Sequence, residues 1–128
     1  MNRRAILITG ILFGGLAVAL GAFGAHALES QLEARDRTET WDLAVQYQMV
    51  HSLTLLFIGT IVPAYGRGFR IAGLLLTSGV LCFSGSLYAL CLTDIVFPLV
   101  LITPLGGVFL IAGWALMLVT VIRTKTDA

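Results

Sequence analysis

Residues 5–28 of the chain read AILITGILFGGLAVALGAFGAHAL. This stretch of 24 residues contains no Asp, Glu, Lys or Arg. Because an α-helix rises about 1.5 Å per residue, the stretch is long enough to cross the roughly 30 Å of hydrocarbon in a bilayer. Lipid offers no partner to backbone polar groups, and a helix pairs those groups internally. The stretch therefore predicts a membrane-spanning helix.

The same stretch shares features with a secretory signal peptide. Arg3 and Arg4 precede it, and Ala25 and Ala27 have the spacing of a cleavage site. The apolar core of a signal peptide is only about 7–15 residues long, however. We therefore expect the stretch to remain in the protein as its first helix.

Three further apolar runs cover residues 41–62, 71–92 and 95–122. Hydrophobic residues make up 58% of the chain and charged residues 12%, whereas soluble domains average about 45–50% and about 25%. This composition calls for a lipid environment. We predict an all-α fold, an integral membrane four-helix bundle, formed by a single transmembrane domain of residues 1–128. Its helices are expected at about 5–28, 41–62, 71–92 and 104–122.

The start of the last helix has two interpretations. Thr103 followed by Pro104 is typical of an N-cap with proline in the first helical position. In that case residues 95–102 lie at the membrane interface. The alternative is one long helix that is kinked at Pro104.

Basic residues are unevenly divided between the two predicted ends of the bundle, and this division predicts an orientation. Arg35 and Arg37 lie at one end, where most of the acidic residues also lie. Lysine and arginine are enriched on the cytoplasmic side of membrane proteins. We therefore expect both termini to be cytoplasmic, and we interpret Trp41 as an interfacial residue of the second helix. The basic residues at the other end are Arg3, Arg4, Arg67, Arg70, Arg123 and Lys125.

Small residues recur at intervals of three and four in the first and last helices. Such spacing lets helix backbones approach closely in lipid, where van der Waals packing drives helix association. We predict a helix-packing seam, for which a glycine-lined permeation path is the alternative. The seam residues are Gly10, Gly14, Ala17, Gly21, Gly24, Gly106 and Gly113.

Polar residues share one side of the second predicted helix, and His51 lies near the membrane midplane. An intramembrane histidine indicates either a functional group or a side chain that hydrogen-bonds a neighbouring helix. With the other helices in place, a polar cluster is expected in the half of the membrane that contains the acidic end. The cluster residues are His26, Tyr47, Gln48, His51, Ser84, Ser86 and Tyr88.

Several classes of function lack support in the sequence. The net charge of +1 gives no indication of a basic surface that would bind nucleic acid. His26 and His51 differ in predicted depth by about 10 Å, which disfavours shared haem ligation. The sequence contains none of the ligand spacings of metal sites and none of the common catalytic motifs. We therefore predict no enzymatic activity and no cofactor.

Four motifs resemble one protein family over most of the chain. They are LGAFGAHALE, WDLAVQYQMVHSLTLL, FSGSLYAL and ITPLGGVFLIAGW, which lie in this order. They are similar to the small YgdD/YwdK-like membrane proteins with domain of unknown function 423, a family related to eukaryotic transmembrane protein 256. The resemblance implies a multi-pass protein of the bacterial inner membrane with four helices and no established activity. The family's motif positions fall on Gly21, Gly24, His26, Gln46, Tyr47, Gln48, His51, Ser84, Gly85, Ser86, Tyr88, Pro104, Gly106, Gly107, Gly113 and Trp114.

Two hypotheses for function follow. In the first, the protein is a non-enzymatic structural or accessory protein that acts through helix packing with itself or with a membrane-protein partner. In the alternative, it is a carrier or channel that binds a small molecule or lipid at an outward-facing polar cluster around His51.

Overall fold

The computed structural model describes residues 1–124, which form four α-helices and no β-strand. The helices are α1 (Arg3–Ala25), α2 (Glu29–Ala34), α3 (Thr38–Leu92) and α4 (Leu99–Arg123). Three of them, α1, α3 and α4, are long and apolar enough to cross a membrane. Lys125, one of the basic residues named above, lies outside the described residues.

Helix α3 folds back on itself at Gly66. The backbone of this residue has φ 58° and ψ −130°, a conformation that costs glycine far less than any residue with a side chain. We call residues 38–65 the first arm and residues 67–92 the second arm. The arms run antiparallel, because the Ser84 hydroxyl donates to the Ala44 carbonyl at 2.8 Å. The two middle helices predicted from the sequence therefore correspond to the two arms of α3.

The four spanning segments form a bundle in which the arms of α3 lie between α1 and α4. Within residues 1–124, α1 and α4 both pack on α3 and do not contact each other. The start of α1 and the end of α4 lie near Gly66, since Arg3 reaches Gly59 and Thr120 lies against Gly68. We call this the basic end and the opposite one the acidic end. The short helix α2 closes the acidic end, where Leu32 and Trp41 pack together.

Several predicted boundaries differ from the structure. The first helix ends at Ala25 instead of residue 28, because residues 26–28 form a turn. The last helix begins at Leu99 and contains Pro104, so the prediction of an N-cap at Thr103 is wrong. The helix is continuous through Pro104, as in the alternative, but it starts at Leu99 and not at residue 95. The Thr103 hydroxyl instead bonds the Leu99 carbonyl at 3.2 Å and the Ser86 hydroxyl at 2.6 Å. Pro104 is the sixth residue of α4, so it lies beyond the first turn and leaves the Val100 carbonyl without its helical donor.

Trp41 is also misassigned by the sequence analysis. Only 1% of this residue is exposed, so it is not an interfacial belt residue. Its indole N–H donates to the Leu20 carbonyl at 2.9 Å, and its ring packs at a tilt against Tyr88. The absence of a side chain at Gly24 leaves the space that the indole ring occupies.

Pro63 lies inside the first arm and leaves a backbone oxygen without its helical donor. In a regular helix the N–H of residue 63 would donate to the Gly59 carbonyl, and proline has no N–H. The Arg3 side chain supplies the missing donor, because its Nε bonds the Gly59 oxygen at 3.1 Å. One contact thus repairs the helix and fastens the start of α1 to α3.

We expect Arg3→Met to lower the free energy of unfolding by about 1–3 kcal/mol, the usual cost of an unpaired buried polar group. Pro63→Ala restores a backbone donor, so in that background the cost of Arg3→Met should fall below about 0.5 kcal/mol. Titration with sodium dodecyl sulfate in mixed micelles, followed by tryptophan fluorescence, measures all four proteins of the cycle. An equal loss in both backgrounds would show that Arg3 does not act through this carbonyl.

Candidate functional site

The small residues of α1 pack against the first arm of α3. A side chain added at Gly10 would meet Leu56, and one at Gly14 would meet Ser52. Further along, Gly21 faces Val45, and Gly24 faces Trp41. Ala17, between them, is fully buried. The α1 part of the predicted seam therefore lies inside the chain's own bundle.

The small residues of α4 pack against the second arm. A Cβ at Gly106 would lie 2.8 Å from the Phe83 Cα, so the two backbones are in direct contact. Gly113 instead faces the Leu76 side chain, and Leu110 of α4 fits against Gly79. Glycine is required at Gly106 because a neighbouring backbone, unlike a side chain, cannot rotate away.

The predicted polar cluster separates into several hydrogen-bonded groups. Gln48 is the most connected member, and only 5% of it is exposed. Its amide nitrogen donates to the Phe13 carbonyl of α1, and its amide oxygen accepts from the Tyr88 hydroxyl of the second arm, both at 2.9 Å. Gln48 therefore joins three of the four spanning segments.

Three predicted members lie elsewhere. Ser84 bonds the first arm through the Ala44 carbonyl, and Ser86 pairs with Thr103 of α4. His26 is exposed at the end of α1, where it lines a shallow pocket with alanines and Phe23. The structure does not bring His26 together with the other six residues.

His51 is 5% exposed and has both ring nitrogens engaged. Its Nδ1 lies 2.7 Å from the Tyr47 carbonyl oxygen, which can only accept. The proton is therefore on Nδ1, and Nε2 accepts from the indole N–H of Trp114 at 3.2 Å. The histidine is held in one tautomer by a bond along its own helix and a bond to α4.

A cavity of about 420 Å³ lies beside this histidine and opens toward lipid. We call it the lateral cleft. It lies between the first arm, the second arm and α4, and its walls are mostly apolar. The residues that line it are Gln46, Tyr47, Val50, His51, Phe83, Gly107, Leu110, Ile111 and Trp114.

Two polar side chains of the lateral cleft have no hydrogen-bond partner among residues 1–124. They are the amide of exposed Gln46 and the hydroxyl of Tyr47, which is 38% exposed. The Tyr47 ring is fixed by Phe83, with ring centroids 4.5 Å apart, and lies 6.0 Å from the His51 ring. Both groups lie within a spanning segment, where water is scarce.

The polar cluster predicted from the sequence did not include Gln46, Gly107 or Trp114, which also line the lateral cleft. Gln46 projects toward the lipid side of its helix, and Gly107 does not share the spacing that joins Gly106 and Gly113. Trp114 carried a signal of its own, because tryptophan in membrane helices concentrates near the interfaces and this one lies well inside α4. All three residues are among the motif positions of the family resemblance.

Within residues 1–124, no group of three or more His, Cys, Asp or Glu side chains is placed to hold a metal ion. Cys82 and Cys91 are both free thiols. The chemistry available in the lateral cleft is therefore that of neutral hydrogen-bonding groups on aromatic walls.

Comparisons with known proteins agree with this description. A family model described as protein of unknown function (DUF423) matches residues 20–107. A UPF0382 membrane protein of Staphylococcus haemolyticus is 42% identical over 120 residues, covering 94% of this chain and 97% of the relative. No solved structure matches the chain.

Two further relatives have individual names. The UPF0382 membrane protein YwdK of Bacillus subtilis is 39% identical over 122 residues, covering 94% of this chain and 98% of the relative. The UPF0382 inner membrane protein YgdD of Escherichia coli is 40% identical over 129 residues, covering 98% and 95%. These matches confirm the resemblance found from the four motifs.

Adjacent glycines on α4 provide a matched test of the seam. We expect Gly106→Ala to lower the free energy of unfolding by about 1–3 kcal/mol, because its methyl group would force the Phe83 backbone away. Gly107→Ala should be neutral or up to about 1 kcal/mol stabilising, since a Cβ there meets nothing within 4 Å. Titration with sodium dodecyl sulfate compares the two variants, and equal losses would contradict the assignment of Gly106 alone to the seam.

Proposed function

The chain belongs to the family of membrane proteins described as protein of unknown function (DUF423), and we propose that it binds a small, mostly apolar molecule in the lateral cleft. The observation that carries the proposal is the pair of unpartnered groups, the Gln46 amide and the Tyr47 hydroxyl, within a lipid-facing cavity. The molecule enters sideways from the bilayer that surrounds the helices.

The energetic argument rests on desolvation. A polar group in an apolar medium costs about 2–7 kcal/mol when it has no hydrogen-bond partner. The chain pairs its buried polar side chains elsewhere, and no buried side-chain nitrogen or oxygen of residues 1–124 lacks a partner. A ligand with acceptor atoms in the cleft would offset this cost at Gln46 and Tyr47. The cavity volume of about 420 Å³ is within the usual range of about 300–1,000 Å³ for ligand pockets.

The proposal is one of binding without catalysis. The groups that face the cavity are an amide, a phenol, an indole and a histidine whose two nitrogens are both engaged. General acid–base catalysis needs a side chain that is free to accept or donate a proton to the substrate. The neutral, fixed histidine of this cleft supports a positioning role better than a catalytic one.

A structural or accessory role through helix packing is the second candidate. The seam glycines no longer argue for an external partner, because they pack within the chain. What favours this role is the exposed face of α1 at Gly15, where a Cβ would meet nothing within 4 Å. A second copy or a membrane-protein partner would pack there.

The proposed location is the bacterial inner membrane, with both termini in the cytoplasm. Five of the seven arginines in residues 1–124 lie at the basic end, and only Arg35 and Arg37 lie at the acidic end. Arg35 is moreover paired with Asp94 at 2.9 Å. The bias of basic residues toward the cytoplasmic side supports this orientation.

Fusion of a reporter to the C-terminus tests the orientation. Green fluorescent protein, which folds in the cytoplasm, should fluoresce, and alkaline phosphatase, which needs the periplasm, should be inactive. The same reporters inserted between Arg35 and Asp36 should give the opposite pattern. An active C-terminal phosphatase fusion would overturn the orientation.

Gly107→Phe tests the lateral cleft. A Cβ at this position meets nothing within 4 Å, and Gly107 lines the cavity, so the new ring should occupy the site while the bundle stays folded. Native mass spectrometry of protein released gently from its own membrane should show a retained small molecule on the unmodified chain. The Gly107→Phe variant should lose at least nine-tenths of that adduct.

Gly15→Phe is the matched control, because it adds the same ring at another open position on a different helix. It should keep the adduct and, under the second candidate role, weaken an oligomer or a protein partner. The cleft proposal fails if Gly107→Phe and the unmodified chain carry the same adducts, or if neither carries any and no added ligand binds in a saturable, Gly107-dependent way.

A further inference from the structure

A second apolar cavity, of about 330 Å³, also has Trp114 in its wall. Trp114 lines both cavities, so they form neighbouring chambers between the first arm and α4. We call the second chamber the tail groove. Its walls include Phe57, Ile61, Met117, Leu118 and Val121.

The two chambers together extend over a length that would accommodate an elongated ligand. From Gln46 to Ile61 the first arm advances 15 residues, or about 22 Å at the rise of an α-helix. The lateral cleft contains the Gln46 amide and the Tyr47 hydroxyl, whereas the walls of the tail groove are apolar apart from the Tyr65 hydroxyl and the Trp114 indole. A molecule that fills both chambers therefore has a compact polar head and one long apolar chain.

The chemistry of the lateral cleft restricts the head. No charged side chain of residues 1–124 lines either chamber, so a phosphate or a carboxylate head would be unpaired there. The phenol of Tyr47 and the amide of Gln46 can both donate, which favours acceptor atoms such as carbonyl oxygens. Aromatic rings of Tyr47, Phe83 and Trp114 border the space, and such walls favour a flat ring.

We infer that the ligand is a lipid-soluble quinone, a neutral flat ring with carbonyl acceptors on a single long apolar chain. This inference rests on the proposed function and specifies its ligand class. In the bound arrangement the Tyr47 hydroxyl and the Gln46 amide donate to ring carbonyls, and the chain passes Trp114 into the tail groove. Diacylglycerol also has neutral carbonyl groups, but it has two chains and no ring.

Tryptophan fluorescence gives a direct test, because the chain has only two tryptophans. Trp114 lines both chambers, whereas Trp41 is buried at the acidic end. The full-length protein is reconstituted in dioleoylphosphatidylcholine vesicles and titrated with decylubiquinone, a quinone with a ten-carbon chain. We expect saturable quenching, beyond that of free indole in the same vesicles, which Trp114→Phe removes and Trp41→Phe retains.

Variants of the site make the test specific. Tyr47→Phe removes one donor and should weaken decylubiquinone binding about tenfold, while Gly107→Phe should abolish saturable binding. Gly15→Phe should leave the affinity unchanged. Circular dichroism and gel filtration show whether each variant keeps its fold, and Tyr47→Phe keeps the ring that packs on Phe83.

The outcomes separate the ligand class from the proposed function. Saturable binding that depends on Tyr47 and Gly107 supports the quinone. Saturable competition by dioleoylglycerol in place of decylubiquinone, or an adduct that depends on Gly107 without any quinone binding, overturns the quinone while the cleft proposal stands. If decylubiquinone shows no saturable binding and the native protein carries no adduct that depends on Gly107, both proposals fail.

Discussion

A polar atom inside a bilayer has no water to bind, so each hydrogen-bonding group of a spanning segment needs a partner from the chain or from a molecule that the chain holds. This constraint accounts for the contacts that fasten α1 to the first arm. The Arg3 side chain bonds the Gly59 carbonyl, the Trp41 indole bonds the Leu20 carbonyl, and the Gln48 amide bonds the Phe13 carbonyl. Each donor reaches a main-chain oxygen of a neighbouring helix, and the three bonds are spread along the length of the pair.

Those bonds require helices that lie close together, and the small residues provide the closeness. Gly10 and Gly24 bring α1 onto the first arm, and Gly106 brings α4 onto the second arm at backbone contact. No equivalent glycine contact joins α4 to the first arm, where Trp114 and His51 meet instead. The large side chains hold these two segments apart, and the lateral cleft and the tail groove are the space that results.

The four spanning segments could be predicted from the sequence, because length and hydropathy decide whether a helix crosses a membrane. Spacings of three and four place Gly10, Gly14 and Gly21 on one face of a helix, and in the structure these glycines lie against the first arm. The start of α4 could not be predicted, because Thr103–Pro104 is typical of an N-cap, whereas in the structure Pro104 lies in the second turn of a helix that begins at Leu99. The burial of Trp41 could not be predicted either, because it depends on the space that Gly24 leaves in another helix.

For the candidate site, the sequence predicts which polar residues share a helix face, but not which of them form hydrogen bonds with other helices. His51, Tyr47 and Gln48 share a helix, so their common side followed from the period of 3.6 residues. Which of them pair internally depends on residues of other helices, such as Tyr88 for Gln48 and Trp114 for His51. His26 lies at the acidic end, but on the surface of the bundle. Helical periodicity alone does not show whether a neighbouring helix extends far enough to cover a residue at the end of α1.

Packing alone explains Gly106, but it does not explain the cleft. Glycine within a helix costs about 0.5–1 kcal/mol relative to alanine, and at Gly106 the contact with Phe83 offsets that cost. At Gly107 no contact does so, since nothing lies within 4 Å of a side chain placed there. Gly15 and Gly85 are equally open, but Gly107 alone of the three lines a cavity that Gln46 and Tyr47 also line. An open backbone position beside two unpartnered donors is what a binding site in lipid requires, because the ligand needs both the room and the hydrogen bonds.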